Sequence, residues 1–259
     1  MTDASRVRVI RLLVLGLLIL VATSLAQERT PIAEQIAKTY GLDSFSQIEA
    51  IRYTFNAKGA LNFTQTWIWE PKTGQVSYEG KDRAGKPLKV TYLRSQLDSQ
   101  PAIVKDEIDP FFLSDQYWLL FPLHLVWDTS AKVEETGMHK LPMGKGSAER
   151  VVVTYPSAGG YTPGDAWELF VGTDNRIKQW VYHHGGGAKP SGVWSWDDYK
   201  KAGPLLISLN HPGTIWLVPQ QDTGLRGIWK ALPEGKPLRT FFSNVSVKLV
   251  GSNAWVNAQ

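Results

Sequence analysis

The chain has 259 residues, 43% of them hydrophobic, with no cysteine and a formal net charge of +4. The missing cysteine excludes disulfides, thiolate metal sites, cysteine nucleophiles and the lipid-modified cysteine of a bacterial lipoprotein. The length suffices for one large domain or two small ones, with a core able to replace disulfides in an exported protein.

Arg6, Arg8 and Arg11 precede an apolar run over Leu12–Ala22, and Ser24-Leu25-Ala26 follows with small residues at its first and third positions. A basic start, a short apolar core and a small-x-small site predict a secretory signal over residues 1–26, cleaved after Ala26. The run falls short of the roughly 20 residues that span a membrane. An uncleaved inner-membrane anchor is the alternative. The mature chain, residues 27–259, is expected to be one β-rich domain in the periplasm. Removing Arg6, Arg8, Arg11 and Asp3 halves the formal +4, so no nucleic-acid partner is inferred from charge.

Thr30 as cap, Pro31 at the first position and Gly41 as stop bracket a short helix, with Ile32, Ile36 and Tyr40 repeating along one face. Strands follow over Ile48–Ala57, with Ile51, Tyr53 and Phe55 on one face, and over Asn62–Glu70, with Phe63, Gln65, Trp67 and Trp69 on one face. Pro71–Gly74 makes a turn, and Gln75–Gly80 and Leu88–Arg94 continue an antiparallel meander. Ser95–Pro110 reads as polar and irregular.

Ser114–Leu125 is apolar all round and wants burial on every side. It suits either a short helix, capped by Ser114 or Asp115 and limited by Pro122, or a buried strand. In the helical form it would plug the concave face of a curved sheet. Strands resume at Glu149–Tyr155, Gly164–Val171 and Arg176–His184, with Asp174-Asn175 as a tight turn. Val193–Tyr199 and Leu205–His211 come next, and Phe241–Val250 closes the sheet. Pro212–Pro237 gives no clear pattern. The fold class is mainly β (α+β), about ten strands in a single curved antiparallel sheet or incomplete barrel wrapped around short helices.

Motifs for catalysis fail on inspection. Gly80–Lys86 fits the start of a phosphate-binding loop, but Pro87 stands where a hydroxyl should hold magnesium and both flanks read as strands. Tyr155-Pro156-Ser157-Ala158-Gly159 lacks the first glycine of a nucleophile elbow. His183 and His184 are adjacent on a strand and diverge, as do Asp197 and Asp198, and His124, His139 and His211 show no ligand spacing. No catalytic residue, metal or cofactor is expected.

What remains is aromatic. The chain has 11 tryptophans. Trp67 with Trp69, Trp180 with Tyr182, and Trp194 with Trp196 each share a strand face. Such faces line either an apolar cavity or an ordinary aromatic core.

The layout of export signal, helix, meander, apolar insertion and second strand set resembles the periplasmic lipoprotein-carrier superfamily (LolA/LolB-like). Phe63-Thr64-Gln65-Thr66 looks like the Phe-x-Gln pattern near the carriers' first strands. Asp115–Pro122, Thr162–Leu169 and Arg176–Trp180 look like segments of uncharacterised exported relatives of that superfamily. The 75–94 hairpin and residues 212–240 depart from the carriers. The resemblance implies an incomplete barrel around short helices, with an apolar interior holding acyl chains. It also implies an interior arginine, for which strand position nominates Arg52 as a head-group candidate. Without a cysteine anchor the match is to the soluble type.

The expected function is a soluble periplasmic carrier or binder of lipid or lipoprotein acyl chains. Trp67, Trp69, Tyr117, Trp118, Phe121, Trp180 and Trp194 would form the cavity wall. Envelope membrane proteins are further candidate partners. The alternative is a structural or interaction protein of the envelope whose aromatic faces are filled core. A third class, an esterase-type or metal enzyme, would need a long-range Ser/His/Asp or His/Asp cluster.

Overall fold

The computed structural model describes residues 30–158, 163–220 and 229–259. The expected signal and its cleavage site, the start of the 162–169 segment and residues 221–228 lie outside the described residues. Helix α1 (Pro31–Thr39) stands where Pro31 and Gly41 place it, and Gly41 has φ 104°. Thr30 makes no side-chain cap bond. Ile32, Ala33, Ile36 and Ala37 are the buried face.

Four strands follow as a meander: β1 (Ile48–Gly59), β2 (Phe63–Glu70), β3 (Gln75–Lys81) and β4 (Pro87–Leu93). Period-2 alternation turns Ile51, Tyr53 and Phe55 inward on β1 and Gln65 and Trp67 inward on β2. The Gly80–Lys86 segment is the β3–β4 hairpin, closed by Asp82 N–H to the Lys86 carbonyl at 2.9 Å.

The stretch expected to be irregular is instead the approach to the main helix. A 3-10 turn over Arg94–Ser99 and a π turn over Val104–Ile108 lead directly into helix α2 (Asp109–Trp127). Ser114 and Asp115 are therefore helix interior, not caps. Pro110 occupies the start, where a missing N–H costs nothing. Pro122 does not limit the helix. It withdraws the bond that the Trp118 carbonyl would accept, and the backbone distorts at Leu120 (φ −125°, ψ 18°) without ending.

The second half contains β5 (Lys132–Lys140), β6 (Ser147–Thr154), β7 (Ala166–Val171), β8 (Ile177–His183), β9 (Gly192–Ser195) and β10 (Asp197–Ala202). It ends with β11 (Leu205–Pro219), β12 (Trp229–Leu249) and β13 (Trp255–Asn257). The expected strand over 193–199 breaks at Trp196, and Asp198 takes φ 53°. That break lets β9 pair with β8 while β10 pairs with the start of β11.

The 13 strands of the described residues belong to one antiparallel sheet in the order β4-β3-β2-β1-β12-β11-β9-β8-β7-β6-β5, with β10 on β11 and β13 on β12. The path ends at β4 and β5, so the sheet is open. The last long strand, expected to close the sheet, runs through its middle. Its residues 238–249 pair with β1, and its residues 229–241 pair with β11. The two meanders are thus joined through β12. Among the described residues no helix is long and apolar enough to cross a membrane.

The concave face holds one large core. Phe121 on α2 meets Trp167 at 5.1 Å and Trp180 at 5.3 Å between ring centroids. Phe112 meets Trp67 at 5.5 Å and Trp69 at 5.9 Å. Helix α1 packs beside α2. Trp180 is fully buried at the centre of these contacts. Trp180→Ala should lower unfolding free energy by about 3–5 kcal/mol. Urea melts followed by circular dichroism check this, and a loss under about 1 kcal/mol would place Trp180 outside the core.

Candidate functional site

Among the described residues, helix α2 covers part of the concave face. A cleft of about 1870 Å³ remains between the Pro110–Trp118 side of α2 and the sheet. Ordinary small-molecule pockets measure roughly 300–1,000 Å³. Phe55 and Ala57 of β1 and Phe63 and Gln65 of β2 form one wall, and Ile215, Leu238 and Thr240 continue it across β11 and β12. Trp167, Tyr182 and Trp194 close the far end, and Phe111, Leu113, Asp115, Tyr117 and Trp118 face them from the helix. Lys58, Lys81 and Arg83 stand at the rim on the β1–β4 side.

Trp118 is the hinge between core and cleft. Its ring lies 4.5 Å from Trp180, 4.9 Å from Trp194 and 5.6 Å from His211, yet it is only partly buried and borders the open space. Trp194 lies flat on the sheet because Gly192 and Gly213 supply a slot. A Cβ on either would collide with the indole. His211 is sealed beneath these rings, and burial pulls its imidazole down to about 3, so it is neutral at physiological pH.

Both ends of α2 are tied by polar contacts. At the start, the fully buried Asp109 accepts from the Tyr92 hydroxyl and from Arg94 Nε, each at 2.8 Å. Farther along, Trp67 Nε1 donates to Asp115 Oδ2 at 2.8 Å. At the end, Asp128 accepts from the Tyr117 hydroxyl and, at 3.0 Å, from Tyr155, and faces His124 Nδ1 at 3.1 Å. Burial pushes the Asp128 carboxyl up, but His124 and the two tyrosines outweigh it and hold it below its usual range.

The seven expected wall residues divide. Trp67, Phe121 and Trp180 are 0% exposed and Trp194 is 2% exposed. Of these four only Trp194 borders the cleft, with Tyr117 and Trp118. Trp67, Phe121 and Trp180 pack into the core, and Trp69 sits against Phe45 and Phe112 away from the open space. Arg52 is corrected. It alternates with Tyr53 and so points from the opposite face, where its guanidinium bonds Ser246 at 3.1 Å and covers the Trp255 ring at 4.6 Å. Sequence reasoning passed over Phe55, Leu113, Trp167 and Trp229. Phe55 was legible as an inward position of β1. Trp167 and Trp229 needed the fold.

His183 faces Glu168 at 2.9 Å while the neighbouring His184 faces Asp165 at 3.4 Å. Among the described residues no three His, Cys, Asp or Glu side chains converge as metal ligands.

No protein-family model and no curated protein matches the chain. Among solved structures, it is similar to a DUF1329 family protein from Desulfovibrio piger, at TM-score 0.46 and 9% identity over 86% of this chain and 92% of that one. It is also similar to the Mycobacterium tuberculosis lipoprotein LppX, at TM-score 0.27 and 8% identity over 83% of this chain and 94% of that one. Neither likeness is strong enough to carry a function.

A carboxyl whose folded pKa lies below its unfolded value stabilises the fold above that value and loses the contribution as pH falls through the folded pKa. Asp128→Asn should therefore cost about 1–3 kcal/mol at pH 7. The gap to the parent protein should close as pH falls below about 4. Thermal melts of both proteins across pH check this, and a gap that widened on acidification would refute it.

Proposed function

We infer that the protein is a non-catalytic binder of lipid or lipoprotein acyl chains, acting as a soluble carrier in the periplasm. The observation that supports this most is a cleft that the described residues leave beside a dense core. Trp67, Phe121 and Trp180 supply the packing that a filled sheet would need, and open space bordered by Phe55, Leu113, Trp118 and Trp194 remains beyond them.

The energetics favour a chain-like apolar occupant. Each buried methylene contributes about 0.8 kcal/mol. Ten of them supply about 8 kcal/mol, enough to exceed the low end of an association cost of about 4–15 kcal/mol. Lys58 and Lys81 at the rim, beside Glu79 and Asp82, suit a polar end left near solvent.

Native mass spectrometry of protein taken from the periplasm should show a co-purified lipid. After delipidation, a fatty acid should bind saturably and quench tryptophan fluorescence. Leu113 lines the cleft and is only partly buried. Leu113→Glu should weaken binding at least about tenfold with little change in melting temperature, because a charge in an apolar wall must be desolvated by the ligand. Absence of saturable binding to fatty acid, phospholipid and lipopeptide alike would support the filled-core structural protein instead.

A further inference from the structure

Within the cleft's apolar lining, two polar side chains are left incomplete by the fold. Asp115 projects from α2 and is 2% exposed. Trp67 donates to its Oδ2, and among the described residues the carboxyl has no second hydrogen-bond partner. Gln65 lies two residues before Trp67 on the same face of β2. The Tyr78 hydroxyl donates to the Lys81 carbonyl at 2.7 Å, so toward Gln65 it acts only as acceptor. Gln65 Oε1 is buried with no hydrogen-bond partner among the described residues. Tyr53, directly across from Trp67, also has a buried hydroxyl with no partner among the described residues. Buried polar groups are hydrogen-bonded in the great majority of cases, and exceptions ask for an occupant.

Asp115 and Gln65 both border the cleft, one from the helix side and one from the sheet side. Burial pushes the Asp115 carboxyl well above its usual range, the direction that favours the protonated form, whose O–H is a donor. Gln65 Oε1 offers an acceptor. A donor on one wall and an acceptor on the other complement a trans amide, whose C=O and N–H point in opposite directions.

We propose that Asp115 and Gln65 form a hydrogen-bonding site for a secondary amide at the polar end of an acyl-chain ligand. The Asp115 O–H meets the amide carbonyl, and Gln65 Oε1 accepts the amide N–H. The site rests on the reading of the cleft as an acyl-chain binder and names the linkage it prefers.

The test compares N-methyl lauramide, methyl laurate and dodecane on the delipidated full chain. The amide should bind about tenfold more tightly than the ester, the worth of one hydrogen bond and of an acceptor no longer orphaned. Asp115→Asn should keep that preference, because its oxygen still accepts from Trp67 while its nitrogen donates to the ligand. Asp115→Leu and Gln65→Met should erase the preference yet leave dodecane binding unchanged. If Asp115→Leu does not fold, the Asp115→Asn and Gln65→Met pair decides the matter. Equal binding of amide and ester overturns the site, as water between the walls would produce. Loss of the preference in Asp115→Asn also overturns it, since Asp115 would then act as a carboxylate. If dodecane itself fails to bind, the cleft reading falls and the site with it; dodecane binding without an amide preference removes the site alone.

Discussion

Helix α2 carries apolar side chains around most of its circumference, and most of its surface must be kept from water. One curved sheet meets that demand. Strands β1 and β2 cover its Phe112 and Asp115 side, and β7, β8 and β9 cover Trp118 and Phe121. A buried aromatic side chain removes about 150–250 Å² from water, worth about 4–6 kcal/mol at 25 cal/mol per Å². Several such rings on α2 outweigh any single hydrogen bond in the structure. The polar ties at Asp109, Asp115 and Asp128 fix where the helix sits, and the rings supply the force that holds it there.

That division explains how a cleft survives beside a dense core. Asp109 anchors the start of α2 to Tyr92 and Arg94, near the β4 edge. Asp128 anchors its end through Tyr155 to the end of β6. Suspended between them, the helix presses Phe121 into the sheet while its Leu113 side stands off from β1 and β12. Pro122 contributes at the same place. By withdrawing a bond from the Trp118 carbonyl it loosens the turn that presents Trp118 to both core and cleft.

Where burial alternated in the sequence, structure was legible. Ile51, Tyr53 and Phe55 announced β1, and Trp67 announced its neighbour. Pro31 and Gly41 bracketed α1. Strand β5 was invisible because it is an exposed, charged edge in which Val133 is the one buried residue. The inner halves of β11 and β12, within 212–237, were unreadable because Pro212, Gly213, Gly235 and Pro237 interrupt their pattern. The early start of α2 was signalled by Asp109-Pro110, a helix opening hidden among polar residues. For the site, paired tryptophans marked the concave face but not which rings were core. Neighbours on β7, β8 and β12 decide that, and Arg52 shows the cost of choosing by strand position without knowing the face.

The central claim is that the space between α2 and the sheet holds an apolar chain. The most direct measurement is a crystal structure of the delipidated protein soaked with a terminally brominated fatty acid, read by the anomalous signal of bromine. The account predicts bromine density enclosed by Phe55, Leu113, Trp118 and Trp194, with the carboxyl end toward the rim at Lys58 and Lys81. Bromine found on the outer face beside Arg52, or a closed space with Trp118 collapsed onto β1, would contradict it.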